Sequence, residues 1–195
     1  MSNCLFCGEY LVVEVTWATF LWHAPKFHIC ASCEEQIVFS KSEDALYFHN
    51  DFMSEVIHQY KFQRDIRVAY FFAKGIRKEI KKRNFDLVVP IPMHPKKEME
   101  RTFAHVEVVL QFAKIPFQNV LQKNTEEQQS KKSKREREQV EQFFSLKNEE
   151  IVNGKKILLI DDVLTTGTTI AFARQLLLEA EAKKVEILTF ISGQM

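Results

Sequence analysis

The segment from Lys155 to Thr169 constrains the fold of this 195-residue chain more than any other. Its apolar run Ile157–Ile160 consists of β-formers without a break, which is typical of a central strand buried on both faces. Two carboxylates follow, then a loop with four threonines and one glycine, and then apolar residues at helical spacing over 170–180. The segment therefore predicts a strand, a loop and a helix of an α/β fold.

The loop between this strand and helix has the composition of a phosphate-binding loop. It lies where open α/β sheets bind ligands and where the N–H groups of a helix start favour an anion. Gly167 allows a close backbone approach, and the threonine hydroxyls add donors. Asp161 and Asp162 suit ribose hydroxyls or a metal bound to them. An ordinary strand–helix turn with a capping threonine is the alternative, but it does not explain four threonines directly after two aspartates.

The same segment resembles the phosphoribosyl-pyrophosphate (PRPP) motif of type I phosphoribosyltransferases, without a gap from Ile157 to Thr169. The resemblance implies that the acidic pair faces the ribose, that the loop wraps the 5′-phosphate, and that Mg²⁺ binds together with PRPP. It leaves the catalytic residues unassigned. The implied PRPP-binding residues are Asp161, Asp162, Val163, Leu164, Thr165, Thr166, Gly167, Thr168 and Thr169.

Charge and hydropathy exclude several classes of protein. The net charge is +1, so the chain lacks an overall field that would attract nucleic acid. No apolar run approaches the roughly 20 residues of a membrane span. Because the N-terminus lacks a charged segment followed by an apolar one, we expect no signal peptide and a cytoplasmic protein.

All four cysteines lie near the start of the chain, as two C-x-x-C pairs. Two such pairs are typical of a tetrahedral structural zinc site, and zinc would supply the folding free energy of so short a segment. Disulfides would need an oxidising compartment, and a redox motif would need one pair on a βαβ unit. His23 and His28 lie between the pairs and are interpreted as surface or packing histidines, with substitute ligands as the alternative. The predicted Zn²⁺ ligands are Cys4, Cys7, Cys30 and Cys33.

The pattern along the chain predicts two parts: a zinc-ribbon-like module over residues 1–40 and a phosphoribosyltransferase-like domain over residues 45–195, with a polar linker between them. In the second part strands alternate with helices, which implies a mostly parallel sheet with helices on both faces. Periodicity predicts helices over 51–59, 65–83, 98–114 and 170–180, and strands over 86–92, 117–121, 139–146, 157–160 and 184–191. Gly75, inside a helical pattern, is interpreted as a packing contact.

Several segments, in their order along the chain, are similar to the ComF family, including its N-terminal four-cysteine module. In the segment that corresponds to the family's R-G-F-N-Q, only Arg101 and Phe103 agree; Thr102, Ala104 and His105 depart from it. The segments that carry the resemblance are Tyr60–Asp65, Asp86–Pro95, Arg101–His105 and the charged loop before Gln139–Phe144.

This resemblance implies a bacterial competence protein that acts where transforming single-stranded DNA enters the cytoplasm, with a helicase-like competence ATPase as a partner in some bacteria. Two functions stay open. One is a phosphoribosyltransferase whose acceptor the sequence does not identify. The other is a non-catalytic adaptor that senses PRPP or binds DNA or a partner.

A charged segment without apolar periodicity, residues 124–138, is predicted to be a mobile loop. Its cations would stabilise pyrophosphate, contact a DNA backbone or remain solvated. Pro90–Pro92 would end a strand beside the phosphate loop, either as a pyrophosphate loop, which the transferase resemblance implies, or as a rigid strand exit. His94 and Lys96 would help to bind pyrophosphate or be exposed loop residues. Tyr60 to Arg64 forms either a stacking platform for bases or part of the domain edge. The candidate contacts in the loop are Lys131, Lys132, Lys134, Arg135 and Arg137.

Overall fold

The computed structural model describes residues 2–12, 28–124 and 143–193. Within these ranges the strands are β1 (Ser2–Asn3), β2 (Tyr10–Leu11), β3 (Ala45–Phe48), β4 (Leu87–Pro90), β5 (Leu121–Lys123), β6 (Phe144–Leu146), β7 (Lys156–Leu164) and β8 (Lys184–Ser192). The helices are α1 (Ala31–Glu35), α2 (Asp51–Lys61), α3 (Val68–Ile80), α4 (Pro95–Arg101), α5 (His105–Ala113) and α6 (Thr168–Glu179).

A parallel four-stranded sheet, in the order β3-β8-β7-β4, forms the centre of the described fold. Strand β7 lies inside it, and Leu158, Leu159 and Ile160 are fully buried, as the uninterrupted apolar run predicts. Pro90, the last residue of β4, is in register with Ile160. The chain after β4 therefore leaves the sheet beside the aspartates of β7.

Helices cover both faces of the sheet, as predicted. On one face α2, α3 and α5 pack over the sheet around Tyr60, Phe72 and Phe190. On the other face α6 packs with Phe144 of the antiparallel β5–β6 pair. The predicted type I phosphoribosyltransferase-like α/β fold is thus confirmed.

Helix α3 packs closely on β3 through its glycine. A Cβ atom on Gly75 would lie 2.9 Å from the Tyr47 hydroxyl oxygen and 3.0 Å from Leu46 Cδ1, closer than a larger residue tolerates. The interpretation of Gly75 as a packing contact is confirmed. Strand β3, which supplies both neighbours, was not predicted, because its four residues are all apolar and so short an apolar run does not distinguish a strand from a helix.

The prediction of one helix over 98–114 is wrong. The structure has two helices there, α4 and α5, because Thr102 adopts a left-handed conformation with φ of 72°. The Thr102 N–H donates to the Glu98 carbonyl (2.8 Å) and ends α4. Phe103 then packs against the Tyr60 ring at 5.3 Å, and α5 begins at His105. The short strand expected over 117–121 is β5, which begins only at Leu121.

Residues 125–142, which contain the charged loop from residue 125 onward, lie outside the described residues. The candidate contacts of the loop lie there as well: Lys131, Lys132, Lys134, Arg135 and Arg137. The strand expected over 139–146 is described only in its last part, as β6. Among the helices of the described ranges, none has the length and apolarity needed to cross a membrane.

Candidate functional site

One cavity, of about 220 Å³, opens at the carboxyl end of β7, where the predicted PRPP-binding residues lie. Every residue from Asp161 to Thr169 lines it. The exit of β4, from Ile91 to His94, forms an adjacent side, where the Ile91 N–H donates to the Ile160 carbonyl (2.8 Å). The topology thus places the proline-flanked strand end beside the threonine loop, as the sequence predicts.

The threonine loop is shaped by a glycine that precedes helix α6. Gly167 has a φ of 74°, which L-residues adopt only with strain. Gly167 precedes Thr168 and has no side chain to cap the first turn of α6, and the Thr168 N–H donates to Thr166 Oγ1 (3.4 Å). The exposed hydroxyls of Thr166 and Thr168 lie 3.0 Å apart. This arrangement of N–H and hydroxyl donors at a helix start suits a phosphate group.

The two aspartates at the end of β7 have different surroundings. Asp162 forms a salt bridge with Lys61, with Oδ2 2.8 Å from Nζ. Asp161 accepts a hydrogen bond from the Asp162 N–H (2.8 Å). Burial, and next the charge of Asp162, raise the pKa of Asp161 to about 7. A ligand that brings hydroxyl donors or a cation would favour the ionised pair.

The wall that faces the aspartates contains three residues that the sequence analysis did not assign to the PRPP site: Lys61, Arg101 and His105. Arg101 Nη1 lies 3.4 Å from His105 Nδ1, and its guanidinium lies over the Phe62 ring at 5.2 Å. The Tyr60 hydroxyl donates to the His105 carbonyl at 2.7 Å. These residues lie in the segments that carried the family resemblance, which was the available signal.

His105 is buried and neutral in this wall. Only 1% of the residue is exposed, and burial lowers its pKa to about 4. Arginine can only donate, so His105 Nδ1 accepts and Nε2 carries the proton. That Nε2–H is buried and has no hydrogen-bond partner among the described residues. His105 is therefore a hydrogen-bond donor rather than a base near neutral pH.

Two further parts of the cavity bear on the sequence predictions. Lys123 of β5 is only 8% exposed, contacts the Phe144 ring at 5.8 Å and lines the cavity, which no sequence pattern predicts. His94 lines the cavity and caps α4 by accepting from the Lys96 N–H (3.3 Å), whereas Lys96 is not part of the lining. A lysine of α4, Lys97, lines the cavity instead.

The expected aromatic platform is divided between core and surface. Tyr60 is fully buried, so it is part of the core and offers no face to a base. Phe62 is 60% exposed, but its ring stacks with His58 at 4.9 Å and lies under Arg101. The interpretation as part of the domain edge accounts for these contacts.

A second candidate site is the cluster of four cysteines. Their sulfur atoms all lie within 4.8 Å of one another, and none forms a disulfide. Burial raises the pKa of Cys4, but N–H groups of Cys30, Cys7 and Phe6 outweigh it and lower the pKa to about 6, whereas burial and the neighbouring cysteines raise the pKa of Cys33. N–H groups that favour thiolates fit a bound metal ion. The predicted ligands Cys4, Cys7, Cys30 and Cys33 are thus positioned to bind one metal ion.

The cysteine cluster contacts the same helix that ends in the cavity. Phe6 packs edge-on against Phe52 of α2 and Phe71 of α3, at 5.4 and 5.2 Å. The Gln59 side chain donates to the Leu5 carbonyl (3.1 Å). Helix α2 therefore joins the segment that carries Cys4 and Cys7 to the wall that carries Lys61.

A family model described as the phosphoribosyl transferase domain matches residues 60–194. This range includes strands β4 to β8 and all the residues that line the cavity. Fold, cavity and match together define a protein with a phosphoribosyltransferase domain.

Two relatives show which family of proteins with this domain the chain belongs to. Competence protein ComFC of Streptococcus pneumoniae is 32% identical over 97% of this chain and 99% of its own. Competence protein ComFC of Bacillus subtilis is 27% identical over 96% of this chain and 94% of its own. The chain therefore belongs to the ComF family. A solved structure of the allosteric regulatory enzyme of purine biosynthesis is 21% identical over 62% of this chain and 25% of that enzyme, with a TM-score of 0.44.

Proposed function

We propose that this protein binds PRPP with Mg²⁺ in the cavity at the end of β7. The observation that carries the proposal is that one cavity joins a carboxylate pair to a helix start with hydroxyl donors. The 5′-phosphate would lie on the loop from Thr165 to Thr169, and the ribose hydroxyls would face Asp161 and Asp162. Bound Mg²⁺ would neutralise charge on the pyrophosphate.

The same arrangement suits phosphoribosyl transfer, in which a nucleophile attacks C1 of the ribose and pyrophosphate leaves. Such a step needs positioning and charge stabilisation more than an acid–base pair. Lys97 and Arg101 line the cavity and would stabilise the leaving group. Cations of the charged loop would add to them: Lys131, Lys132, Lys134, Arg135 and Arg137.

A second candidate is a non-catalytic adaptor that senses PRPP and binds DNA or a partner protein. Its support is the state of His105, which is buried and neutral and so is poorly suited to activate an acceptor. In both versions we infer a role in the uptake of transforming single-stranded DNA at the cytoplasmic side, with a helicase-like ATPase as partner. The ComFC relatives are named competence proteins, and this name supports the proposed role.

Pyrophosphate release distinguishes the two candidates. Purified protein is incubated with PRPP and Mg²⁺, with and without candidate acceptors, while calorimetry measures binding in parallel. Transfer predicts pyrophosphate release that depends on an acceptor. Binding without release supports the adaptor. In cells, loss of transformation after replacing Lys131, Lys132 and Lys134 with alanine would support a role for the charged loop, and unchanged transformation would argue against it.

The metal in the cysteine cluster is proposed to be structural zinc, in a module of residues 1–40 beside a domain of residues 45–195. We expect about one zinc per chain, since four thiolates in two pairs match its tetrahedral preference. Cys30→Ser should release the metal and unfold the module, while the rest of the chain keeps its circular-dichroism signal. Freshly purified, reduced protein without zinc would contradict the proposal.

A further inference from the structure

Lys61 enters the cavity from the end of helix α2, far in sequence from the motif it contacts. Its Nζ lies 2.8 Å from Asp162 Oδ2, and the two side chains are only 15% and 18% exposed. A charge pair this shielded from water is screened less by salt than a surface pair, and losing one partner leaves the other charge uncompensated. The contact therefore holds the Asp162 carboxylate beside the Lys61 ammonium group.

The structure holds Lys61 in place from both sides. Its neighbour Tyr60 is fully buried and donates to the His105 carbonyl at 2.7 Å. On the other side, the Phe62 N–H donates to the His58 carbonyl (2.8 Å), and the Phe62 ring lies under Arg101. The backbone that carries Lys61 is thus fixed relative to the cavity wall.

The position of the ammonium group has a consequence for ligand contacts. Asp161 and Asp162 are adjacent carboxylates, and their mutual repulsion opposes the ionised state of both. Lys61 offsets this repulsion and engages Oδ2 of Asp162, which leaves Oδ1 for a ligand hydroxyl. Without Lys61, the Asp162 side chain would be free to rotate away from the ligand.

We propose that Lys61 is a positioning residue that fixes the Asp162 carboxylate for the ribose hydroxyls of the ligand. The inference rests on the proposed binding of PRPP in this cavity. It assigns to Lys61 an effect on the ribose part of the ligand and none on the pyrophosphate part. A direct contact of Lys61 with pyrophosphate would produce the opposite pattern.

Three probes separate these parts in calorimetric or competition titrations: PRPP, ribose 5-phosphate and inorganic pyrophosphate, each with Mg²⁺. Lys61→Met should weaken PRPP and ribose 5-phosphate alike, about tenfold for the loss of one ordered charge-assisted hydrogen bond. Pyrophosphate binding should stay unchanged. Lys61→Arg should restore most of the loss, since it keeps the charge. Lys74→Met, at an exposed lysine of α3, is the matched control and should bind all three as the wild type does.

Folding of the variants is tested with Lys61→Met/Asp162→Asn, which removes both charges. If Lys61→Met unfolds the protein, this double variant should regain a thermal transition, because no uncompensated charge remains. For binding, Asp162→Asn should weaken ribose 5-phosphate no further in the Lys61→Met background than Lys61→Met does alone.

Three results would overturn the inference: unchanged binding of ribose 5-phosphate by folded Lys61→Met, a loss confined to PRPP and pyrophosphate, or additive losses in the double variant. A wild-type protein that binds no PRPP would instead refute the proposed function, and that failure is seen before any variant is compared.

Discussion

Two walls of the same cavity, the threonine loop and the wall that faces the aspartates, offer an anion different kinds of groups. The loop from Thr165 to Thr169 presents neutral donors, with Thr165, Thr166 and Thr168 exposed to water. The facing wall presents charges, and these are largely shielded and already engaged: Lys61 with Asp162, and Arg101 with Phe62 and His105. A ligand phosphate therefore replaces water at the first wall but must join an existing network at the second.

This difference implies different responses to mutation. At the loop, backbone shape is decisive, because the donors are N–H groups and short hydroxyl side chains. At the facing wall, each side chain has a partner inside the protein, so a substitution affects folding as well as binding. The predictions below test the two walls separately.

The largest effect is expected at the loop, from Gly167→Val. A valine there must adopt a φ of 74°, and its Cβ would meet only Leu164 Cδ1 at 3.4 Å, so the chain should fold with a distorted loop. PRPP binding should weaken roughly a hundredfold or more, because the N–H groups of the distorted loop would no longer point to the phosphate. Calorimetry measures the loss.

Gly154→Val is the matched control for Gly167→Val. Gly154 also has a positive φ, 69°, and nothing lies within 4 Å of its Cβ position, but it does not line the cavity. It should show the same backbone strain and normal PRPP binding. Equal losses in the two variants would mean that the loop's shape is not what binds phosphate.

The second largest effect is expected on the free energy of unfolding of Asp161→Asn, and it depends on pH. The pKa of Asp161 is raised from 3.8 to about 7, so ionisation opposes folding, and this contribution lowers stability as pH rises from about 4 to about 7. Asp161→Asn should be more stable than wild type at about pH 8, by about 2 kcal/mol after allowance for solvent, and no more stable near pH 4. Urea unfolding at both pH values measures it.

Asp44→Asn, at an exposed aspartate, is measured at the same two pH values as the comparison for Asp161→Asn. A profile for Asp161→Asn that parallels the wild type would show that Asp161 is ionised at neutral pH without penalty. The two carboxylates at the end of β7 would then not differ in the way described above.

The smallest effect is expected from Tyr60→Phe in the facing wall. It removes the hydrogen bond to the His105 carbonyl and should reduce the free energy of unfolding by about 1 kcal/mol. Tyr47→Phe is the matched control, because Tyr47 is 4% exposed and its hydroxyl makes no such bond within the part of the chain that the structure describes. Equal changes in the two variants would mean that the bond to His105 contributes nothing particular to the wall.

The two walls also differ in how far they could be predicted from sequence. The loop is contiguous from Asp161 to Thr169, so one window shows the strand, the carboxylates and the glycine together. The facing wall draws Lys61, Arg101 and His105 from α2, α4 and α5, and only the topology brings them, together with Lys123 of β5, to one cavity. The helix breaks at Thr102, and Phe103 then packs against the core. Helical periodicity cannot reveal this break, because it depends on a tertiary contact.

The central claim is that the aspartate pair and threonine loop bind PRPP, and a calorimetric titration with PRPP and Mg²⁺ tests it most directly. The account predicts one site per chain in the wild type. In Asp161→Ala/Asp162→Ala, the loss of two charge-assisted hydrogen bonds should cost on the order of 3 kcal/mol, or roughly a hundredfold in affinity. Equal PRPP affinity in the wild type and the double variant would contradict the account.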